Sequence, residues 1–198
     1  HYNGIRLNYD CNRNIISNNT ISNSNGSAIL MGWSDSNVIT CNVLSKNDCG
    51  VLLFSCQNNT FHHNNFINNE EQVGGFLKNT WDNGYPSGGN YWTDYGGVDL
   101  YSGPYQNETG SDGIGDTPYV IEENNRDNYP LMDPWVPLLG DLNCDGIVDV
   151  TDVYIVAGSF GLHLNHPGWD PIADINGDGT IDIVDVYLVA INFGKTHQ

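Results

Sequence analysis

The chain is poor in positive charge: 6 Lys and Arg stand against 24 Asp and Glu, a formal net charge of −18 over 198 residues. A field of that sign repels phosphate backbones and anionic lipid heads, which excludes nucleic acid as a partner and leaves cations and neutral or basic molecules. Long apolar runs are missing too. Hydrophobic residues make up 39% of the sequence, yet no run approaches the roughly 18 that a membrane helix needs, so membrane insertion is not expected. The opening His1-Tyr2-Asn3 has neither a charged n-region nor an apolar h-region, so any targeting segment is expected to have lain upstream or been removed. The five cysteines, Cys11, Cys41, Cys49, Cys56 and Cys144, are an odd number and fit neither a zinc spacing nor a dense disulfide scaffold. A glycine-rich phosphate loop, a Ser-His-Asp pattern and a Cys-His nucleophile pattern are all lacking.

What is present falls into three segments of different charge. Residues 1–80 hold 5 acids and 4 bases, residues 81–135 hold 10 and 1, and residues 136–198 hold 9 and 1. The first segment repeats. Asn14-x-Ile16-x-x-Asn19-x-Ile21 aligns with Asn37-x-Ile39-x-x-Asn42-x-Leu44 and with Asn59-x-Phe61-x-x-Asn64-x-Phe66, at periods of 23 and then 22 residues. Short period-2 strands between Asn and Gly corners are what a solenoid of parallel strands requires, since Asn tolerates left-handed backbone and can ladder through its amide. Of 28 Asn, 17 lie in the first 69 residues, which concentrates that signal where the repeat is. Gly4, Gly26 and Gly50 precede a further strand in each turn. About three coils are expected, roughly 14 Å of solenoid at the usual strand spacing. An open edge at the first coil calls for upstream coils or another chain.

These repeats, with Gly89-Asn90-Tyr91-Trp92-Thr93-Asp94-Tyr95, Asp112-Gly113-Ile114-Gly115-Asp116-Thr117-Pro118-Tyr119 and Asp127-Asn128-Tyr129-Pro130-Leu131-Met132, resemble the right-handed parallel β-helix of NosD-type proteins. The resemblance implies a secreted β-helix end. Residues 81–135, rich in aromatics and acids, are expected to form a loop-rich cap that seals it, with a sugar-binding aromatic platform as the sharper alternative. Asp112 and Asp116, close in sequence to Asp99 and Asp127, are candidates for a shared cation.

Residues 139–198 carry the most specific pattern. Asp141, Asn143, Asp145, Asp149 and Asp152 occupy positions 1, 3, 5, 9 and 12 of an EF-type calcium loop, with Gly146 at position 6 and the carbonyl of Ile147 at position 7. Asp174, Asn176, Asp178, Asp182 and Asp185, with Gly179 and the Thr180 carbonyl, repeat the layout 33 residues later. Two calcium ions are therefore expected. Each loop runs into an apolar stretch, Asp152 to Gly161 and Asp185 to Gly194, read as exit helices ended by glycine. Prolines at 134, 137, 167 and 171 argue against entering helices. This loop–helix duplicate resembles the dockerin domain, which implies docking to a cohesin module.

On the helices, Val153, Val156, Ala157 and Phe160 form one stripe, and Val186, Val189, Ala190 and Phe193 repeat it. Val150, Thr151, Tyr154, Ile155, Ile183, Val184, Tyr187 and Leu188 are left as candidates for a partner-binding face. Loop positions 10 and 11 carry Val150-Thr151 and Ile183-Val184 where the resembled family often has a hydroxyl pair, so partner identity stays open.

The fold class read from the sequence is mainly β: the coils of a parallel β-helix, a cap, and a small helical calcium-binding domain. By fold analogy such helices include polysaccharide lyases, hydrolases and epimerases. The candidate acid–base groups Asp10, Asp35, Asp48, His62 and His63, with Arg6, Arg13 and Lys46, show no carboxylate pair recurring on successive coils. The reading favours a non-catalytic extracellular module that docks to a cohesin-like protein, with self-assembly of copies as the alternative and polysaccharide as a further candidate ligand.

Overall fold

The computed structural model describes residues 2–75 and 77–196. The chain forms two compact units, His1–Val136 and Pro137–Gln198.

The first unit is a parallel β-solenoid. One face stacks β1 (Ile5–Asn8), β4 (Ser27–Gly32), β7 (Cys49–Phe54) and β10 (Glu71–Gly74). A second stacks β2 (Ile15–Ser17), β5 (Val38–Thr40) and β8 (Thr60–His62), and a third β3 (Thr20–Ser22), β6 (Val43–Ser45), β9 (Asn65–Ile67) and β11 (Tyr91–Trp92). All pairs are parallel and in register, so Ile29 sits over Val51, Ile16 over Ile39 and Phe61, and Ile21 over Leu44 and Phe66. Like stacks on like because the sequence period equals one turn. The solenoid has about four turns, one more than the repeat count, because β10 and β11 pair onto the third turn without the Asn-x-apolar signature.

The corners explain the asparagines. The same corner of successive turns holds a left-handed residue whatever its type: Asn18, Cys41 and His63, then Asn23, Lys46 and Asn68, with φ between 51° and 57°. Such a conformation costs about 1–2 kcal/mol for an L-residue other than Asn or Gly, so the stack must hold it. Asparagine ladders next to these corners do so. Asn19 Nδ2 donates to Asn42 Oδ1, Asn42 to Asn64, and Asn64 to Asn90, all at 2.9–3.0 Å. A second ladder runs from Asn14 through Asn37 and Asn59 to Asn79, and a third from Asn47 through Asn69 to Gln72.

Every amide in these ladders donates toward the C-terminal end, so each ladder needs an acceptor to finish it. Asn79 N donates to Asn125 Oδ1, and Gln72 Nε2 to Asp94 Oδ1. The central ladder ends on Asp127, whose carboxylate accepts from Asn90 N (2.7 Å), Trp92 Nε1 (2.9 Å) and Tyr129 N (3.1 Å). Full burial pushes the pKa of Asp127 up to about 7, against the pull of these three donors.

The cap seals the solenoid with aromatic rings. Phe61 stacks on Trp81 at 4.3 Å, Phe66 on Trp92 at 4.2 Å, and Trp92 on Tyr119 at 4.3 Å. Burying rings of this size contributes on the order of 4–6 kcal/mol each before ordering costs. Around them lie two small hairpins, β12 (Tyr101–Ser102) with β13 (Glu108–Thr109), and β14 (Tyr119–Glu122) with β15 (Asn125–Asp127).

The second unit contains α1 (Val150–Gly158) and α2 (Ile183–Ala190), which pack together over a core of Val148, Val156, Ala173, Ile181 and Val189. Both helices stop short of the expected glycines, at Ser159 and Ile191, and Gly161 and Gly194 turn the chain with φ near 80°. As a result Phe160 and Phe193, the far ends of the two expected core stripes, are exposed. Each loop is clasped by the segment that follows the other loop's helix. Val148 N donates to Lys195 O and Ile181 N to Leu162 O, both at 2.9 Å.

Candidate calcium loops and docking face

The two loops match atom for atom. In the first, Asp145 N and Gly146 N donate to the two oxygens of Asp141, Ile147 N donates to Asp145 Oδ1, and Asn143 Nδ2 donates to Asp145 Oδ2. In the second, Asp178 N and Gly179 N donate to Asp174, Thr180 N to Asp178 Oδ1, and Asn176 Nδ2 to Asp178 Oδ2. Gly146 and Gly179 sit at φ 88°, where a side chain would be strained, which is why position 6 is glycine in both.

Loop and helix share residues. Asp149 is the N-cap of α1 and Asp152 its N3 partner in a capping box, and Asp182 and Asp185 repeat this on α2. Asp152 Oδ1 also accepts from Leu142 N and Asn143 N, tying the start of the loop to its end, as Asp185 does with Ile175 N and Asn176 N. Positions 9 and 12 therefore close the loop and start the helix at once.

The electrostatics of this arrangement call for a cation. Asp141, Asp152, Asp174 and Asp185 are all buried, the second and fourth completely. Lys195 is the one Lys or Arg among residues 137–198, and its Nζ donates to Asn192 Oδ1. Burial, together with the neighbouring charges of Asp145 and Asp152, pushes the Asp141 pKa up to about 6. A buried carboxylate without compensation costs several kcal/mol, so the donor set fits a hard oxygen-seeking ion. Among the described residues no group of three or more His, Cys, Asp or Glu side chains is drawn together as a metal cluster. In the loops the carboxylates are instead turned onto backbone N–H groups, and each ring is completed by an Asn side chain and a backbone carbonyl.

The candidate docking residues lie on the helix surfaces. Val150 and Ile183 are 68% and 67% exposed, and Tyr154 and Tyr187 77% and 58%. Thr151 and Val184 are exposed too, whereas Ile155 and Leu188 are half-buried. Two equivalent apolar patches follow from the duplication.

In the cap, Asp112 and Asp116 have separate duties. Asp116 accepts from Leu100 N and Tyr101 N, and Asp112 from Ile114 N and Gln106 Nε2, while Asp99 accepts from Asp112 N and Gly113 N. These carboxylates organise loop backbone. Of the acid–base candidates, Asp35 accepts from Gln57 N at a solenoid corner. His62 Nδ1 lies 3.3 Å from Thr40 Oγ1 and 3.2 Å from His63 Nδ1, and His63 Nε2 is 2.8 Å from Ser87 O. The two rings meet edge to face, and His63 stacks on Trp135 at 3.6 Å. Burial and the neighbouring His63 lower the His62 pKa to about 3.

The sequence reading passed over Tyr9, Trp33 and Phe54. Tyr9 and Trp33 stack at 5.2 Å with planes 3° apart on the solvent side of the solenoid, and the signal for them was an aromatic after the same strand in successive turns.

Residues 1–97 match the family model described as periplasmic copper-binding protein (NosD). The solenoid is NosD-like. A type II cohesin-dockerin domain from Bacteroides cellolosolvens is 42% identical, covering 32% of this chain and 97% of its own, with a TM-score of 0.28. No curated protein matches the chain. No helix among the described residues is long and apolar enough to cross a membrane. In the NosD-like solenoid the adjacent pair His62 and His63 spends its ring nitrogens on Thr40, Ser87 and each other, as set out above.

Proposed function

We propose that the chain is a non-catalytic extracellular or periplasmic module in which residues 137–198 dock to a cohesin-like protein when loaded with calcium, with the NosD-like solenoid as the part so anchored. The observation that carries this is the duplicated apolar surface: Val150 with Tyr154, and Ile183 with Tyr187, stand exposed on helices whose first turns are built from the loops. Asp141, Asn143, Asp145, Asp149, Asp152 and the Ile147 carbonyl would hold one ion, and Asp174, Asn176, Asp178, Asp182, Asp185 and the Thr180 carbonyl the other. Calcium supplies the positive charge that the four buried carboxylates lack. Because positions 9 and 12 are also the N-cap and N3 residues, ion binding and helix orientation are one event. Extracellular calcium modules work at about 10⁻⁴ to 10⁻³ M, which suits a site with Asp and not Glu at position 12.

The test is calorimetric titration of the full chain with a purified cohesin, in calcium and in chelator. Binding that needs calcium and falls when Tyr154→Ala and Tyr187→Ala are combined is the expected result. Absence of binding, or binding indifferent to both calcium and the double variant, overturns the reading. Concentration-dependent self-association that the same double variant abolishes would instead assign the patches to a second copy of the chain.

A further inference from the structure

The outward side of the β1–β4–β7–β10 sheet carries a cleft of about 670 Å³. Its floor is Leu52, its walls include Trp33 and Phe54, and its two ends are Arg6 and Glu71. Arg6, Leu30, Leu52 and Gly74 are aligned across the four strands, so the cleft runs along the solenoid axis and suits a chain-shaped ligand. Gly74 leaves it open at one end, since a Cβ there would press on Leu52 at 2.7 Å.

Three features narrow the ligand. Trp33 and Phe54 are 54% and 49% exposed, and one face of Trp33 is already covered by Tyr9. In the next turn the position equivalent to Trp33 is Ser55, also left-handed, so the aromatic column stops there and leaves room for a ring. Arg6 is held by Asn8, whose amide oxygen, turned to the guanidinium, accepts from Nε and Nη2 at 2.7 and 2.9 Å. Among the described residues no carboxylate is salt-bridged to it. In a chain of net charge −18, a fixed guanidinium without a carboxylate partner, opening on an aromatic wall, is a site for a carboxylate joined to a ring. Nucleic acid is repelled by the overall field, and a purely apolar ligand would strand Arg6 and Glu71 without partners.

We propose that this cleft binds an acidic oligosaccharide, with a uronate carboxylate on Arg6, the carbon face of a pyranose ring on Trp33 and Phe54, and ring hydroxyls on Glu71. The bidentate fork of Arg6 selects the carboxylate. The Glu71 charge at the far end sets the direction of the chain. This site lies in the solenoid and stands apart from the docking reading.

The experiment is titration of the full chain, in calcium, with a short oligogalacturonate, its fully methyl-esterified form, and a short polyglutamate peptide. Oligogalacturonate is expected to bind, at least tenfold more tightly than the ester. Arg6→Gln is expected to erase that preference. Trp33→Ser, which copies the residue found one turn on, is expected to weaken binding at least tenfold while the circular dichroism spectrum and urea midpoint stay unchanged. No binding of oligogalacturonate, equal binding of the ester or of polyglutamate, or affinity unmoved by both variants would overturn the proposal.

Discussion

Asn64→Asp is the sharpest test of what holds the solenoid together, because it changes one atom's identity and almost no volume. Asn64 is buried, and its Nδ2 donates to Ile39 O (2.8 Å), His62 O (3.0 Å) and Asn90 Oδ1 (3.0 Å). Its Oδ1 accepts from Asn42 N and Asn42 Nδ2. An ionised Asp keeps the accepted bonds and turns a negative oxygen toward three acceptors. A stranded buried polar group costs about 1–3 kcal/mol, so three give roughly 3–9 kcal/mol before the buried charge is added, against a whole-domain stability of about 5–15 kcal/mol. The urea midpoint of the solenoid, followed by the fluorescence of buried Trp81 and Trp92, should collapse or vanish at pH 7. Partial recovery is expected at acid pH, where a protonated Asp regains one donor. The control is Asn23→Asp, at an exposed corner where the side chain meets only Ser22 Oγ, and there the midpoint should barely move. Equal midpoints for the two variants would refute the claim that donor direction along the ladder matters.

Other consequences can be checked on the same protein. Since the pKa of His62 falls to about 3 in the folded chain and is near 6.5 when unfolded, the neutral ring stabilises the fold above pH 6.5. That stability is lost as pH falls from 6.5 toward 3, by up to about 1.4 kcal/mol per unit. His62→Asn should flatten this slope between pH 7 and 4 in urea titrations, and an unchanged slope would show that His62 protonates freely. Chelating calcium should reduce far-ultraviolet helicity, because four buried carboxylates lose their counter-charge; an unaltered spectrum in chelator would count against the loops as metal sites. Phe66→Ala, which removes the ring under Trp92, should cost about 3–5 kcal/mol of solenoid stability, measured by denaturant unfolding, and a loss under 1 kcal/mol would mean that Trp92 is seated by Asp127 alone.

Legibility in the sequence followed locality. Ile16, Ile39 and Phe61 announce a stacked column because one turn of solenoid equals one sequence repeat, and the calcium loops are legible because all six ligand positions fall within 12 residues. The fourth turn was invisible since β11 is only Tyr91–Trp92 and reaches the sheet after an irregular excursion. The helix ends were misplaced by two or three residues because the glycine turns at 161 and 194 serve the cross-clasp with Ile181 and Val148, a contact between segments that do not neighbour each other in sequence. The Arg6 cleft escaped for a similar reason: its residues are scattered from 6 to 77 and meet only once the register is known.

The role of Asp127 shows how far a residue-by-residue reading can go wrong on chemistry while right on place. Grouped with Asp99, Asp112 and Asp116, it looked like part of a cation site, since acids crowded in a cap need compensation. In the structure its compensation is three N–H donors, and its position is the end of a column of amides that all point one way. Asparagine there would offer a donor to Tyr129 N, a donor facing a donor, whereas aspartate offers acceptors only. Asp127→Asn should therefore cost about 1–3 kcal/mol for the stranded Tyr129 N–H, less than Asn64→Asp, although it is the same change in reverse. The effect of exchanging Asn and Asp depends on whether the site lies within a ladder or at its end, and direct comparison of the two urea midpoints decides it: a larger loss for Asp127→Asn would mean that the ladders have no preferred direction.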